Sequence, residues 1–421
     1  MSTETPDQTA FWNAFSARLF DQNLFAIKLG LDNIRRALTR DGHPELSAPA
    51  IVVGGTNGKG TTAALLSNIL QAHGLRVGFS SSPHLLELRE RFRIDGAPVD
   101  RATVMRVGGD VMNRYAQPDG EVVLTFFELT TLMAAHIFNE ADVDVAVYEV
   151  GLGGRLDAVN AIEPAVTIVT TIDLDHQVYL GDTVAKIAAE KAALFRPGVA
   201  SIIGPQDHQD ALDVLVEAAP HAVVAGRDFP VDNSTLRRRH QGTAVEAARA
   251  FLGDKFRAQS AQAGIAQTVW PGRMQRLAVA TPGLEGPWLV DAAHNPAGAR
   301  NLHAALAREE VGAFVVSAAK DKDLSGLFAD IPPDVPTYGV KLRTERGASR
   351  EALQGVIPRL RGTGTASLML EAARAAAGDK LIVVYGSLYL LGEVFECFGH
   401  SADDMRSTLG TQSGRSSDSE G

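Results

Sequence analysis

A chain of 421 residues exceeds what one hydrophobic core usually holds, so two domains with substantial cores are expected. The net charge of −10, with no basic run longer than Arg237-Arg238-Arg239, argues against nucleic acid as a partner and for small-molecule ligands. The single cysteine, Cys397, excludes an intramolecular disulfide and a thiolate metal cluster, which fits a reducing compartment. Met1 to Ala10 lacks the basic-then-apolar order of a signal peptide, and no apolar run reaches membrane-spanning length. The expectation is a soluble, cytoplasmic protein with no membrane partner.

The first informative segment is Ile51-Val52-Val53-Gly54-Gly55-Thr56-Asn57-Gly58-Lys59-Gly60-Thr61-Thr62, a β-branched run that breaks into glycines, delivers a lysine and opens an apolar-periodic helix running to about His73. This is the order of a phosphate-binding loop. Glycines let backbone N–H groups close on phosphate oxygens, Lys59 adds a mobile positive charge, and the helix dipole points its positive end at the same anion. Gly55, Thr56, Asn57, Gly58, Lys59, Gly60 and Thr61 are therefore expected to hold a nucleoside triphosphate. Gly60 intervenes between Lys59 and the Thr61 hydroxyl, and Val53 stands where the common motif has its first glycine. Both departures speak against a plain kinase or GTPase.

Downstream, Leu75 to Ser80 reads as a strand, Phe127 to Asn139 as a helix, and Asp144 to Val150 and Ala165 to Thr171 as strands. Apolar strands alternating with helices predict a mostly parallel sheet covered on both faces, with ligands at the carboxyl ends of its strands. A second strand-helix series follows Trp270-Pro271-Gly272-Arg273, with strands at Trp288 to Asp291, Phe314 to Ser317, Thr337 to Val340 and Leu381 to Tyr385. The expected fold is α/β: a P-loop-type, mostly parallel domain over residues 1–270, a smaller Rossmann-like α/β domain over 271–400, and a Ser/Gly-rich disordered tail over 401–421.

Three residues carry further chemistry. Glu149 ends a strand of valines, where a carboxylate is costly unless a cation or donors meet it, and a Mg²⁺ held jointly with Thr61 would do so. His176 follows Asp173 and Asp175 just past the next strand, where an imidazole could bind metal or serve structure. Asp182 can cap a helix running to Phe195, on which Val184, Ile187, Lys191 and Leu194 follow one apolar face. A lysine there must snorkel, pair with Glu190, or lose its charge; burial lowers its pKa and makes the neutral amine reactive.

The strings GTNGKGT, SSPHL with ERFRI, LTFFELTTL, YEVGLGGRLDAVN, DLDHQVYLG, EKAALFRPG, WPGR, DAAHNP and YGSLYLLGEV occur in that order from about Asn33 to Val394. In them the chain resembles the folylpolyglutamate synthase/dihydrofolate synthase family of the Mur-ligase superfamily. The resemblance implies that Lys59 and the loop amides hold ATP, that Thr61 and Glu149 hold one Mg²⁺, and that His176 and a carbamylated Lys191 hold a second. It implies ATP contacts from Arg273, Asp291 and His294, and a pterin or pteroate pocket formed by Ser82, Pro83, His84, Thr125, Phe127 and Asp157. A monovalent cation would be a further cofactor, and the enzyme a monomer.

The reaction so implied is ATP-dependent joining of L-glutamate to dihydropteroate, giving dihydrofolate, and to tetrahydrofolates, giving polyglutamates, through an acyl phosphate. The SSPHL and LTFFE segments resemble bifunctional bacterial members; a monofunctional dihydrofolate synthase or folylpolyglutamate synthase is the alternative. A peptidoglycan ligase would need a uridine-nucleotide domain before the loop, and about 50 residues are too few for one. A phosphotransferase or nucleotide switch would turn over nucleotide without an amino-acid acceptor.

Overall fold

The computed structural model describes residues 6–21, 30–233, 236–357 and 359–407. Two sheets organise them. The first contains β1 (Ala50–Gly54), β2 (Val77–Ser80), β3 (Phe92–Ile94), β4 (Ala97–Pro98), β5 (Val145–Glu149), β6 (Pro164–Val169), β7 (Ala200–Ile203) and β8 (Val223–Val224), in the order β4-β3-β2-β5-β1-β6-β7-β8. Pairing is parallel throughout except at β2-β3 and β3-β4. The second contains β9 (Gln275–Val279), β10 (Gly286–Asp291), β11 (Val311–Val316), β12 (Thr337–Val340), β13 (Leu360–Gly364) and β14 (Leu381–Tyr385), in the order β13-β12-β11-β14-β10-β9, with only β9 antiparallel.

Every residue of β1, β5 and β14 is buried, because helices cover both faces of each sheet and leave no wet side for alternation. β1 lies between β5 and β6, so the chain leaves it into a crevice where the crossovers diverge, which is where such sheets bind ligands. The helix Lys59–Ala72 fills that position and is buried from Gly60 to Leu70, wedged against the helices Leu236–Leu252 and Ala258–Gln267. Gly264 permits the second crossing, since a Cβ there would stand 2.5 Å from the Asn68 carbonyl oxygen.

Two expectations need correction. Asp182 does not cap the helix Val184–Ala192; the Thr183 hydroxyl accepts from the Lys186 amide, while Asp182 pairs with the Lys186 ammonium at 2.8 Å. Threonine wins because its oxygen already lies at the turn, leaving the carboxylate free for the i+4 cation.

Nor is the tail disordered from residue 401. Ser401 and Asp404 form a capping box, Ala402, Met405 and Ser407 are buried, and the segment returns to the first sheet. There Ser407 N–H donates to the Gly96 carbonyl (2.9 Å), the Ser407 carbonyl accepts from Val269 N–H (2.9 Å) and Asn68 Nδ2 (2.6 Å), and Arg89 pairs with Asp403 (2.8 Å). A polar composition did not reveal that its backbone would be used as a strap. Residues 408–421 lie outside the described residues.

Candidate active site

The loop after β1 is fixed from β6. Thr56 and Asn57 amides donate to the Thr171 carbonyl (2.9 and 3.1 Å), and the Thr170 hydroxyl donates to the Asn57 carbonyl (2.9 Å). Gly55 and Gly58 have φ of 138° and 88°, the second at the helix N-cap. A Cβ on Gly55 would lie 1.9 Å from Thr170 Oγ1, and one on Gly58 2.2 Å from His240 Nε2. These glycines thus answer both dihedral and space requirements, and the helix start stays open to an anion. Lys59 Nζ donates to the Thr56 carbonyl at 3.2 Å; burial lowers its pKa, against the pull of Glu149 and Asp175.

A cavity of about 610 Å³ opens over this loop between the two sheets. It brings together Gly55 to Thr61, Ser82, Pro83, Glu149, His176, Lys191, Arg273, Asp291 and His294, all singled out in the sequence. His84, Thr125, Phe127 and Asp157 do not line it. Thr125 caps the helix Phe126–Glu140 in a capping box with Glu128, Asp157 accepts from the Leu152 and Val159 amides, and the Phe127 ring packs over Gly151. His84 Nδ1 accepts from Arg91 Nε at 3.0 Å.

Glu149 ends β5, buried, with Oε2 accepting from the Ser82 amide at 3.1 Å. Burial raises its pKa, and the charges of Lys59 and Arg273 oppose the rise. Such a carboxylate gains from a hard cation, and the buried Thr61 hydroxyl of the facing helix lines the same cavity. His176, in a left-handed turn at φ 49°, has its side chain 39% exposed; its partial desolvation draws the pKa to about 4, against the charge of Asp175, and so favours the neutral imidazole.

Lys191 is 3% exposed and donates to the Gly153 carbonyl at 3.2 Å. It does not pair with Glu190, whose carboxylate is taken by Arg155 at 2.9 Å. Burial, then the charge of Lys59, bring the amine to about 7. Gly154 lets the backbone approach, since a Cβ there would meet Lys191 Cα at 2.9 Å. Among the described residues no three His, Cys, Asp or Glu side chains form a metal cluster.

The second sheet contributes the opposite wall. Asp291 ends β10, accepts from the Met274 and Ala293 amides (both 2.8 Å), and has its pKa raised by burial. Asn295 caps the helix Pro296–Ala305 and donates to Asn57 Oδ1 at 3.0 Å, joining the second lobe to the phosphate loop.

Asp175 gathers more partners than its place in the sequence suggested: Lys322 at 2.6 Å, Asn295 at 3.3 Å, His294 at 3.5 Å and His176 at 3.9 Å. Burial pushes its pKa up, but these partners outweigh it and hold the carboxyl below its usual range. Lys320, Lys322, Arg346 and Tyr389 also line the cavity and were missed. The Lys320-Asp321-Lys322-Asp323 run just past β11 was the available signal, because it stands at the carboxyl end of a strand.

A phosphate loop facing a buried carboxylate, with a second α/β lobe closing over both, defines a two-lobed nucleotide-dependent enzyme of Mur-ligase architecture. Residues 53–249 match the Mur ligase middle domain. The chain is 33% identical to the dihydrofolate synthase/folylpolyglutamate synthase of Haemophilus influenzae, over 87% of this chain and 93% of that one. It is 32% identical, over 93% of its length, to a probable bifunctional folylpolyglutamate synthase/dihydropteroate synthase of Haloferax volcanii, and spans about half (52%) of that longer protein. The solved bifunctional folylpolyglutamate synthase/dihydrofolate synthase of Yersinia pestis, complexed with AMPPNP and a Mn ion, superimposes with a TM-score of 0.80 at 30% identity, covering 94% of this chain and 100% of that one. The chain belongs to the dihydrofolate synthase/folylpolyglutamate synthase family of Mur ligases.

Proposed function

We propose that the protein is an ATP-dependent ligase that joins L-glutamate to dihydropteroate and to tetrahydrofolates. The observation that carries this reading is the cavity between the lobes, where a phosphate loop, a buried carboxylate and second-lobe cations converge. The loop amides and Lys59 bind the ATP phosphates; Arg273, Asp291 and His294 hold the nucleotide from the other side. The acceptor's carboxylate oxygen attacks the γ-phosphorus and ADP leaves, giving an acyl phosphate. The glutamate amine then attacks the acyl carbon, and the tetrahedral intermediate expels phosphate to leave the amide. Thr61 and Glu149 would hold one divalent cation, and His176 with Lys191 a second; when bound, such ions neutralise charge on the phosphoryl group.

Lys191 is suited to carbamylation because its buried amine attacks CO₂ in the neutral form and, on losing a proton, becomes a carboxylate-like anion. Ser82 and Pro83 lie against the acceptor, with His84, Thr125, Phe127 and Asp157 behind them shaping the pterin or pteroate side. A monomer is the reading that residues from both lobes of one chain lining the cavity support, and one half-buried cysteine suits the cytoplasm. No helix among the described residues is long and apolar enough to cross a membrane.

The test is phosphate release by the purified protein with ATP, acceptor and L-glutamate varied independently. Release requiring L-glutamate together with dihydropteroate or a tetrahydrofolate is expected; release that ignores either would sink the ligase reading in favour of a phosphotransferase or switch. For Lys191, planar three-atom density beyond Nζ is expected in a crystal grown with nucleotide and metal; an unmodified ammonium there would refute the carbamate.

A further inference from the structure

The strap formed by residues 401–407 belongs to both lobes. The Met405 side chain is 1% exposed and lies in the core of the second sheet, with Trp288 and Phe395. Its backbone serves the first sheet. The Met405 carbonyl accepts from Arg93 Nη2 at 3.2 Å, and the Ser407 carbonyl accepts from the Val269 amide at 2.9 Å and from Asn68 Nδ2 at 2.6 Å. Among the described residues of the strap none lines the cavity.

These bonds lead to the phosphate-binding helix at two points. Asn68 stands on that helix, Lys59–Ala72, so Ser407 holds its middle directly. Arg93 reaches its start through an indole. The Arg93 guanidinium lies over the Trp270 ring at 4.9 Å, and a Cβ on Gly60 would stand 2.7 Å from Trp270 Nε1, so the ring rests on the first turn of the helix. Phe79 backs the indole at 5.4 Å, and Val269, bonded to Ser407, precedes it in the chain.

Arg93 is a costly residue in this place. It is 3% exposed, makes no ion pair among the described residues, and its Nε has no partner there. Burial draws the guanidinium down to about 10, with the charges of Glu90 and Glu149 opposing. An apolar side chain would fill the space without that desolvation. What the guanidinium adds is a planar set of donors: Nη1 bonds the Ser81 hydroxyl (2.8 Å) and the Glu90 carbonyl, Nη2 bonds the strap, and the flat face stacks on Trp270.

We propose that the strap is a positioning element of the nucleotide site: Met405, through Arg93 and Trp270, and Ser407, through Asn68, hold the phosphate-binding helix in the stance that nucleotide requires. This rests on the reading of the loop as the ATP site. Arg93 and Asn68 are positioning residues, since neither lines the cavity. Coupling between two places is reciprocal, so nucleotide bound at the loop also steadies the strap.

The experiment is hydrogen exchange by mass spectrometry on the full chain, with and without ADP and Mg²⁺, together with the Kd for ADP from calorimetry. Wild type is compared with Arg93→Gln, Arg93→Lys and Asn68→Asp. In wild type, ADP is expected to slow exchange in residues 401–407 at least about threefold more than in the edge strand β13, residues 360–364. Arg93→Gln should raise the Kd on the order of tenfold and abolish the added protection. Arg93→Lys should recover part of the affinity, and Asn68→Asp, which turns an acceptor toward the Ser407 carbonyl, should weaken ADP as well.

The wild-type exchange comparison stands even if a variant folds poorly. Strap exchange that ADP leaves unchanged overturns the proposal, and so does equal slowing in the strap and β13, which reports only global stabilisation. A lower Tm in Arg93→Gln with the wild-type Kd overturns it too, making Arg93 an ordinary structural tie. ADP binding without a strap response is the failure of this proposal alone; no ADP binding by wild type is the failure of the loop assignment, and the proposal falls with it.

Discussion

His240 ties stability of the phosphate loop to pH. It is 0% exposed on the helix Leu236–Leu252, fills the space a side chain at Gly58 would need, and neither ring nitrogen has a partner among the described residues. Burial, then the charge of Arg239, lower its pKa from 6.5 to about 3, with Asp207 opposing. Between those values the unfolded chain binds a proton that the folded chain refuses, so stability is full above pH 6.5 and falls as pH drops. Linkage gives a loss of about 2 kcal/mol at pH 5 and about 3 kcal/mol at pH 4 from this residue.

His240→Leu removes the titration at similar volume and should cost under about 1.5 kcal/mol at pH 8. Urea unfolding read from tryptophan fluorescence suits the measurement, because the Trp270 indole packs on Gly60 of the same loop. The difference between wild-type and variant stabilities should shift by about 2 kcal/mol in the variant's favour from pH 7.5 to pH 5. Parallel profiles over that range would refute the buried neutral imidazole.

Three further outcomes follow from the site. Lys59→Ala should lower kcat by at least about a thousandfold while moving Tm by only a few degrees, since the charge acts on phosphate and not on a core; near-normal turnover would sink the loop assignment. Glu149→Gln keeps shape but removes the anion, so the Mg²⁺ concentration for half-maximal rate should rise at least about tenfold; an unchanged Mg²⁺ titration would refute ligation. Asp175→Asn leaves Lys322 without its 2.6 Å partner across the cleft, so small-angle scattering should report a more open average separation of the lobes and kcat should fall; identical scattering profiles with and without nucleotide would count against closure through this residue.

What could be read from the chain was whatever depended on local order. The glycines, lysine and hydroxyl of the first loop are contiguous, so their joint job was visible, and Glu149 betrayed itself as a carboxylate ending a run of valines. Lys191 could be placed on an apolar face by helical spacing, but whether Glu190 met it could not. That pairing depended on Arg155, 35 residues away, reaching Glu190 first. The strap at 401–407 escaped for the same reason, because backbone pairing to Gly96 and Val269 leaves no trace in side-chain polarity. Thr125 and Asp157 entered only through the family resemblance, and the capping bonds they make were not read from the sequence.

Asp175 explains why the chemistry is divided between two lobes. An acyl phosphate must be formed with ATP bound and then kept from water until an amine arrives, which a permanently open cleft does not allow and a permanently closed one could not load. Asp175 stands one residue from His176 and accepts from Lys322 and Asn295 of the opposite lobe, while Asn295 also reaches Asn57 in the phosphate loop. The contacts across the cleft are thus made by neighbours of the groups proposed to hold nucleotide and metal. Lys322, which pairs with Asp175 across the cleft, also lines the cavity, so one side chain serves both the contact between the lobes and the charge of the site.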